Sequence, residues 1–390
     1  MPDIALLGLI LAAIVIGYFL GWRDQKRRKS GGDGQLSKDY FVGLNYLINE
    51  QTDEAIDVFI KALDINNDTV DTYLALGSLF SKRGEVEKSI RVHQDLLARP
   101  SLTSVQSFQV QLALAQNYFS AGLLDRAEAI LIDLSRQNHD LRDQALQQLL
   151  RVYEQEREWD KATEVAERLR RTRGEHFAVL LAHYYCEQCE IALKHNDRVA
   201  AHRLIRQAFS RDRQSVRASL LLGQMEFDEG GYKEAIKVLQ RISVQDISFM
   251  PLSLPLLEKA FEQTGSLRGF GAYLGRCLNE RPGTAVTIAM TRLLTRESGE
   301  SQAVNFLSAQ LDRHPTLRGL HELIDLRRHF QGDPPDNILG LIHRLTDRML
   351  ELKSVFACGR CGFSGKEMHW QCPRCNHWGA VKPIQGFEGE

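Results

Sequence analysis

A pattern that returns about every 34 residues runs from Leu36 to about residue 316, and it constrains the fold of this 390-residue chain more than any other feature. Small residues and large apolar residues recur at fixed positions, as two closely packed helices require. The units begin near residues 36, 70, 108, 143, 182, 216, 251 and 284. Because one helix pair cannot bury its apolar face alone, the sequence predicts an all-α solenoid whose neighbouring units share a core.

The pattern inside each unit is that of tetratricopeptide repeats. The second unit carries it most completely, in Tyr73, Leu76, Gly77, Phe80, Gly84 and Ser89. Longer intervals after the second and fourth units indicate short insertions, which we expect in the turns between repeats. A last amphipathic helix is predicted from roughly Asp336 to Lys353.

Stacked repeats of this kind usually bind a peptide or a protein, because their first helices line a groove. The groove side normally takes the second, fifth, ninth, twelfth and thirteenth positions of each first helix. In the third and fourth units these positions include Gln116, Phe119, Gln147, Arg151 and Glu154. The sequence predicts a partner groove there, although an ordinary solvated face is the competing interpretation for each residue taken alone.

Two Cys-x-x-Cys pairs lie near the C-terminus, and their members are Cys358, Cys361, Cys372 and Cys375. Each pair fits a tight turn that directs both sulfurs to one point, and Gly362 and Pro373 suit such turns. Four thiolates around one ion at about 2.3 Å match structural zinc and leave no position for a catalytic water. The spacing resembles rubredoxin metal-binding domains, which keeps iron and electron transfer open. Zinc is favoured, since an electron carrier needs no long solenoid.

The same C-terminal region contains two tryptophans close to the cysteine pairs, Trp370 and Trp378. We expect them to pack over the ribbon or against the solenoid, with contact to a partner protein as the alternative. A fold of some 36 residues has too little core to stand alone, so metal binding should supply part of its folding free energy.

The N-terminal residues 4–22 contain no charged side chain. As a helix they would span about 28 Å, close to the roughly 30 Å of a bilayer's hydrocarbon core. Five Lys and Arg residues follow and only Asp3 precedes, which predicts an amino end outside the cytoplasm and the remainder inside. Gly17 and Gly21 form a Gly-x-x-x-Gly pair that suits contact with another membrane helix. The predicted organisation is therefore an anchor (1–22), a basic linker (23–35), the solenoid with its terminal helix (36–353) and the ribbon (354–390).

The charge balance and the remaining motifs give no sign of catalysis or of nucleic-acid binding. The chain has 49 Lys and Arg against 50 Asp and Glu, so it has no basic excess for a polyanion. Cys186 and Cys189 form a third Cys-x-x-Cys pair inside a repeat, where packing is the expected role. His321 and Glu322 begin like a zinc-protease motif, but Asp325 replaces its second histidine. The sequence predicts a protein that is not an enzyme.

An apolar N-terminal segment, tetratricopeptide units and a rubredoxin-like ribbon in this order resemble the lipopolysaccharide assembly protein B family of Gram-negative bacteria. The resemblance covers the whole chain. It implies an inner-membrane adaptor facing the cytoplasm, which helps the membrane-bound protease FtsH degrade the deacetylase LpxC and so limits lipopolysaccharide synthesis. It also implies an inner-membrane protein that senses lipopolysaccharide, and other lipopolysaccharide assembly proteins, as partners.

Two other functions remain open at this stage. One is a structural hub for lipopolysaccharide assembly enzymes, and the other is a rubredoxin-type electron carrier. The sequence also leaves open whether the solenoid forms a homodimer.

Overall fold

The computed structural model describes residues 45–46, 70–100, 102–137, 140–174, 176–331 and 338–386. Within this part of the chain, helices follow one another in pairs, and three short strands come last. The helices are α1 (Val70–Lys82), α2 (Val86–Leu97), α3 (Ser104–Ser120), α4 (Leu124–Arg136), α5 (Arg142–Glu156), α6 (Trp159–Arg173), α7 (His176–Lys194), α8 (Arg198–Arg211), α9 (Val216–Asp228), α10 (Tyr232–Gln240), α11 (Ile242–Gln245), α12 (Met250–Gln263), α13 (Leu267–Glu280), α14 (Thr284–Ser298), α15 (Glu300–Arg313), α16 (Leu317–Gln331) and α17 (Ile338–Leu352). A 3-10 turn, Ile247–Phe249, precedes α12.

The chain divides into two compact units, one ending at Val152 and the other beginning at Tyr153. In the first unit, small residues let the helices of a repeat approach closely. A Cβ built on Gly77 would lie 2.2 Å from Nε2 of His93, so only glycine fits where α1 meets α2. The Ser89 hydroxyl donates to the Gly77 carbonyl at 2.6 Å, and Nδ2 of Asn117 lies 2.6 Å from the Ser89 hydroxyl. These bonds satisfy polar groups buried between α1, α2 and α3.

In the second unit, a glycine again allows two helices to approach closely, and the apolar core is larger. A Cβ on Gly223 of α9 would lie 2.5 Å from Cδ2 of Leu239 in α10. Large buried side chains from α10 to α14 form one continuous cluster, which includes Phe249, Leu257, Phe270 and Leu274. Trp370 from the C-terminal region packs against this cluster, so the strands at the end of the chain share its core.

Two expectations about the repeats need correction. The insertion after the fourth unit was expected in a turn, but the extra residues extend the start of α7. This helix begins at His176, and only residues 174–175 separate it from α6. A further helix, α16, comes before the predicted terminal helix and pairs with it, whereas the sequence indicated one helix there. His321 and Glu322 lie on α16.

Among the described residues, no helix is both long and apolar enough to cross a membrane. The predicted anchor, with Gly17 and Gly21, lies outside the described residues. The linker and nearly all of the first repeat unit lie outside them as well.

Candidate metal centre and the surface that holds it

The C-terminal region folds around a small antiparallel sheet with strand order β2-β1-β3. Its strands are β1 (Phe356–Cys358), β2 (Ser364–Gly365) and β3 (Val381–Pro383). Phe356 pairs with Gly365 on one side and with Pro383 on the other. The sheet thereby brings the first Cys-x-x-Cys turn, which follows β1, next to the chain that leads back into β3.

The two cysteine turns have the same backbone structure. The N–H of Cys358 donates to the carbonyl of Phe363 at 2.7 Å, and the N–H of Cys372 donates to that of His377 at 2.9 Å, five residues ahead in both cases. The residue after each second cysteine takes a left-handed conformation, with φ of 72° at Gly362 and 55° at Asn376. Asparagine is among the few residues that adopt this conformation at low cost. Sequence reasoning identified Gly362 and overlooked Asn376, although asparagine after Cys-x-x-Cys was the available signal.

The four cysteine sulfurs converge on one point, all lying within 4.8 Å of one another. The Cys358 and Cys375 sulfurs are 3.8 Å apart, and those of Cys361 and Cys372 are 3.6 Å apart. These separations exceed a disulfide's roughly 2.04 Å. They match the edge of about 3.8 Å expected for a tetrahedron with metal–sulfur bonds of about 2.3 Å. The residues present therefore fit one tetrahedral ion, and a four-sulfur set of this kind serves zinc or iron.

The electrostatics of the cysteines also suit a cation. Backbone N–H groups of Cys361 and Arg360 point at the Cys358 sulfur and lower the pKa of that thiol to about 6. The backbone N–H of His377 lowers the pKa of Cys375, but burial and the three neighbouring cysteines raise it to about 12. Like charges so close together oppose full ionisation. A bound divalent cation relieves that repulsion, so metal binding should release protons.

The ribbon is fastened to the helices mainly through Trp378. Its indole Nε1 donates to Oε1 of Glu154 at 2.8 Å, and the Tyr184 hydroxyl donates to the same oxygen at 2.6 Å. The indole stacks on the His183 ring, with centroids 5.2 Å apart and planes at 29°. The Trp159 ring forms a T-shaped contact with the same indole, and the two ring centroids are 5.8 Å apart. One carboxylate thus links α5 and α7 to the ribbon.

Arg217 lies beneath both ribbon tryptophans. Its guanidinium carbon is 5.7 Å from the Trp370 ring centroid and 6.0 Å from that of Trp378. Nη2 of Arg217 binds Glu187 at 2.8 Å and Glu190 at 2.7 Å, and the side chain is only 3% exposed. Trp370 also stacks on Phe249 of the 3-10 turn at 5.6 Å. The contact is therefore an aromatic and cationic cluster, which we call the tryptophan clamp: Glu154, Trp159, His183, Tyr184, Arg217, Phe249, Trp370 and Trp378.

Burial changes the protonation behaviour of the clamp. Burial and the adjacent Arg217 charge lower the pKa of His183 to about 3, so the imidazole is neutral at pH 7. A second fastening lies at the edge of the contact, where Lys382 Nζ binds Asp246 at 2.7 Å. The ribbon is therefore held both by the clamp and by this ion pair.

The clamp occupies groove positions of the solenoid. Counted from the predicted unit starts, His183 and Arg217 take the second position of their first helices, and Glu154 takes the twelfth. The ribbon thus covers the side of the fourth to sixth repeats on which tetratricopeptide proteins usually bind partners. Sequence reasoning marked Glu154 and missed His183 and Arg217, although the same register would have identified them.

The other predicted groove residues lie before Tyr153. The Arg151 guanidinium carbon stands 4.8 Å over the Phe119 ring, which is half-buried, and Nη1 of Arg151 lies 3.3 Å from Oε1 of Gln148. Gln116 is exposed and Gln147 is half-buried. These four side chains remain a predicted partner surface.

The third Cys-x-x-Cys pair and the His321-Glu322 pair, for which the sequence predicted no chemistry, have structural roles. Cys186 and Cys189 are fully buried, and burial raises the pKa of each thiol to about 12, which makes both unreactive. Glu322 binds Arg292 of α14 through two bonds of 2.8 and 2.9 Å. Within the described residues, the four ribbon cysteines are the one group of three or more side chains arranged to hold a metal.

Comparisons with known proteins agree with this architecture. A family model described as a rubredoxin metal binding domain matches residues 356–383, and two described as tetratricopeptide repeats match residues 72–102 and 188–246. These matches confirm the predicted repeat solenoid and C-terminal ribbon.

Two relatives match the chain over nearly its whole length. Lipopolysaccharide assembly protein B of Escherichia coli (strain K12) is 34% identical over 386 residues, or 98% of each chain. The protein of the same name from Haemophilus influenzae is 31% identical over 399 residues, or 99% of each. Among solved structures, a tetratricopeptide repeat protein from Parabacteroides merdae matches at a TM-score of 0.34 and 11% identity, covering 72% of this chain and 99% of that one.

Proposed function

The chain belongs to the lipopolysaccharide assembly protein B family, and on that basis we propose that it is an adaptor without enzymatic activity that limits lipopolysaccharide synthesis. In this proposal it sits in the inner membrane through residues 4–22 and faces the cytoplasm. It promotes degradation of the deacetylase LpxC by the membrane-bound protease FtsH. An inner-membrane protein that senses lipopolysaccharide restrains it through the membrane segment.

The observation that carries the adaptor proposal is the tryptophan clamp. It fixes the ribbon on the groove side of the repeats through Trp378, Glu154 and Arg217, so ribbon and helices present one rigid surface. A rigid surface suits protein binding, because little conformational entropy is lost on association. The metal in this arrangement stabilises the ribbon that forms part of that surface.

The groove of the third and fourth repeats supplies the proposed contact for a client protein. Arg151 and Phe119 form a cation and aromatic pair there, and such residues are enriched among those that dominate binding energy. Gln116 and Gln147 add hydrogen-bonding groups beside them.

The half-life of LpxC tests the proposal most directly. In cells depleted of the chain, LpxC should persist several-fold longer, and re-expression of the natural chain should restore its turnover. The Arg151→Glu variant should restore it poorly, because it reverses the charge of the proposed client groove. Arg91→Glu, the same charge reversal at an exposed position on α2, serves as the matched control. An unchanged half-life on depletion, with lipopolysaccharide enzymes still co-purifying, would instead favour the structural hub.

The metal distinguishes the electron-carrier alternative. Freshly purified protein should contain about one zinc per chain and be colourless. Iron with visible charge-transfer absorption would support the electron carrier.

A further inference from the structure

A cavity of about 500 Å³ lies in the second unit, and none of the tryptophan clamp residues lines it. It opens where the turns 281–283 and 313–316 meet the end of the ribbon at Gln385 and Gly386. Its size is within the roughly 300–1,000 Å³ typical of ligand pockets. Neither the metal centre nor the predicted client groove uses these residues.

The ionisable side chains of the cavity are all basic. Arg281, Arg313 and His314 line it, and none of its lining residues is Asp or Glu. Both arginines are exposed, and among the described residues neither has a carboxylate partner. In a chain with nearly equal numbers of basic and acidic residues, a cavity with only basic groups is selective for a negative ligand.

The repeat architecture explains why the arginines converge. Arg281 directly follows α13 and precedes Pro282, and Arg313 is the last residue of α15, two residues before Pro315. Each therefore lies at the end of the second helix of its repeat. Stacking of the repeats brings the two turns side by side. Residues 284–286, the first turn of α14, also line the cavity, and the N-cap residue Gly283 provides no side-chain acceptor for their N–H groups. These donors add to the positive potential of the two guanidinium groups.

The rest of the wall is apolar. Ile247, Ile288 and Leu311, which are half-buried, line it together with the exposed Pro282 and Pro315. A simple inorganic anion would leave this apolar surface in contact with water. A ligand that matches the whole cavity has carboxylates beside at least one apolar side chain.

We propose that this cavity binds a short acidic peptide segment of a partner protein, with an apolar side chain against Ile247, Ile288 and Leu311 and carboxylates on Arg281 and Arg313. The cavity shares no residue with the predicted groove of the third and fourth repeats. A second contact of this kind raises the effective concentration of a partner that engages both. The inference does not depend on which protein is degraded.

Fluorescence anisotropy with the full-length chain tests this proposal. The probe is a fluorescein-labelled peptide, Glu-Leu-Phe-Glu-Glu-Gly, compared with its neutral counterpart Gln-Leu-Phe-Gln-Gln-Gly. The acidic peptide should bind saturably and about tenfold or more tightly than the neutral one, because charge-assisted hydrogen bonds are the stronger ones. Its affinity should fall as salt rises.

Variants locate the binding. Arg281→Gln and Arg313→Gln should each weaken binding of the acidic peptide by about tenfold. Arg276→Gln, at an exposed position on α13 outside the cavity, should leave the affinity unchanged. Both target arginines are exposed, so the variants should keep their circular dichroism spectra. Equal binding by all variants would overturn the proposal. Binding that appears only after removal of residues 387–390 would also overturn it and would assign the cavity to that acidic sequence of the chain itself.

Discussion

Arg217 is a guanidinium held almost out of water. A buried ion costs several kcal/mol unless other groups compensate it. Here Glu187 and Glu190 neutralise it, while its Nε and Nη1 atoms have no hydrogen-bond partner among the described residues. The faces of Trp370 and Trp378 stand over it instead, and a desolvated cation over indole rings gains about 2 kcal/mol or more. The residue therefore joins the helices to the ribbon by means that a lysine would not reproduce, since lysine lacks the planar fork.

His183 should make the stability of the second unit depend on pH. Its pKa is about 3 in the folded protein and near 6.5 in the unfolded chain, so below pH 6.5 the unfolded state binds a proton that the folded state does not. The contribution of His183 to the free energy of unfolding is therefore fully present above pH 6.5 and decreases as the pH falls toward 3. At pH 5 the decrease amounts to about 2 kcal/mol. In urea titrations followed by tryptophan fluorescence, His183→Phe should lose less stability than the natural protein between pH 7 and pH 5. An identical loss in both proteins would contradict the assignment.

Gly77 should tolerate no side chain. In Gly77→Ala the new Cβ meets the His93 ring at 2.2 Å, so the helices must separate, and we expect destabilisation of roughly 1–3 kcal/mol despite alanine's better helix propensity. Gly275→Ala is the matched control, because its nearest neighbour would be Met290 Cε at 4.0 Å. That control should be neutral or gain up to about 1 kcal/mol. Thermal unfolding of both variants tests the pair, and equal melting shifts would refute the close approach at Gly77.

The ribbon has few stabilising interactions of its own. Its strands are two or three residues long, and the buried side chains around its sheet are Phe356, Cys358, Cys372 and Val381. Two of those four are predicted metal ligands. The stability of the ribbon therefore depends on the metal in its interior and on the tryptophan clamp at its contact with the helices.

Removing the metal should unfold the ribbon and spare the helices. We expect a zinc chelator, or the Cys372→Ser variant, to shift tryptophan emission to longer wavelength as Trp370 and Trp378 enter water, while helical circular dichroism stays nearly constant. Because the thiols take up protons when the metal leaves, the release should be easier at lower pH. A ribbon that keeps its emission spectrum without metal would show that the clamp alone suffices.

Weakening the clamp should loosen the ribbon without touching its metal ligands. Trp378→Phe keeps an aromatic ring but removes the N–H that donates to Glu154, which loses a charge-assisted hydrogen bond of about 1.5–3 kcal/mol. The rate of zinc transfer to a chelator should rise by about tenfold or more. Lys366→Gln, an exposed ribbon position, is the control and should transfer zinc at the natural rate.

The parts of this architecture that sequence predicts are those encoded locally. The cysteine spacing placed four ligands in one ribbon because each Cys-x-x-Cys turn is a local structure, and the repeat register located Gly77 and Ser89 where helices meet. The expectation that Trp370 and Trp378 pack over the ribbon or against the solenoid is confirmed. Their helix partners were not identified, because Glu154 and Trp378 are far apart in sequence and no local pattern encodes the pairing. The boundary of α7 was missed because its extra residues continue a helix, and an interval between repeats does not say whether added residues form a turn or a helix.

For the molecule as a whole, the predicted anchor and the proposed partner surface have separate roles. In the proposed function, the surface selects partners, and the anchor restricts it to the layer in which a membrane protease works. Confinement of this kind raises the effective concentration of partners without any new contact between them. The anchor has two conceivable roles, as a tether or as a contact through Gly17 and Gly21, and these predict different results for a replaced helix.

Three variants separate the two roles of residues 4–22. Deletion of these residues should leave a folded protein that no longer shortens the half-life of LpxC, since the encounter with the membrane protease becomes rare. An unrelated single-pass helix of the same length and orientation should restore degradation if residues 4–22 act as a tether. In the natural segment, Gly17→Leu with Gly21→Leu should keep degradation but abolish its response to lipopolysaccharide level, because bulky side chains prevent close helix approach. Full regulation by the deleted form would refute the tether, and a normal lipopolysaccharide response in the double leucine variant would refute the helix contact.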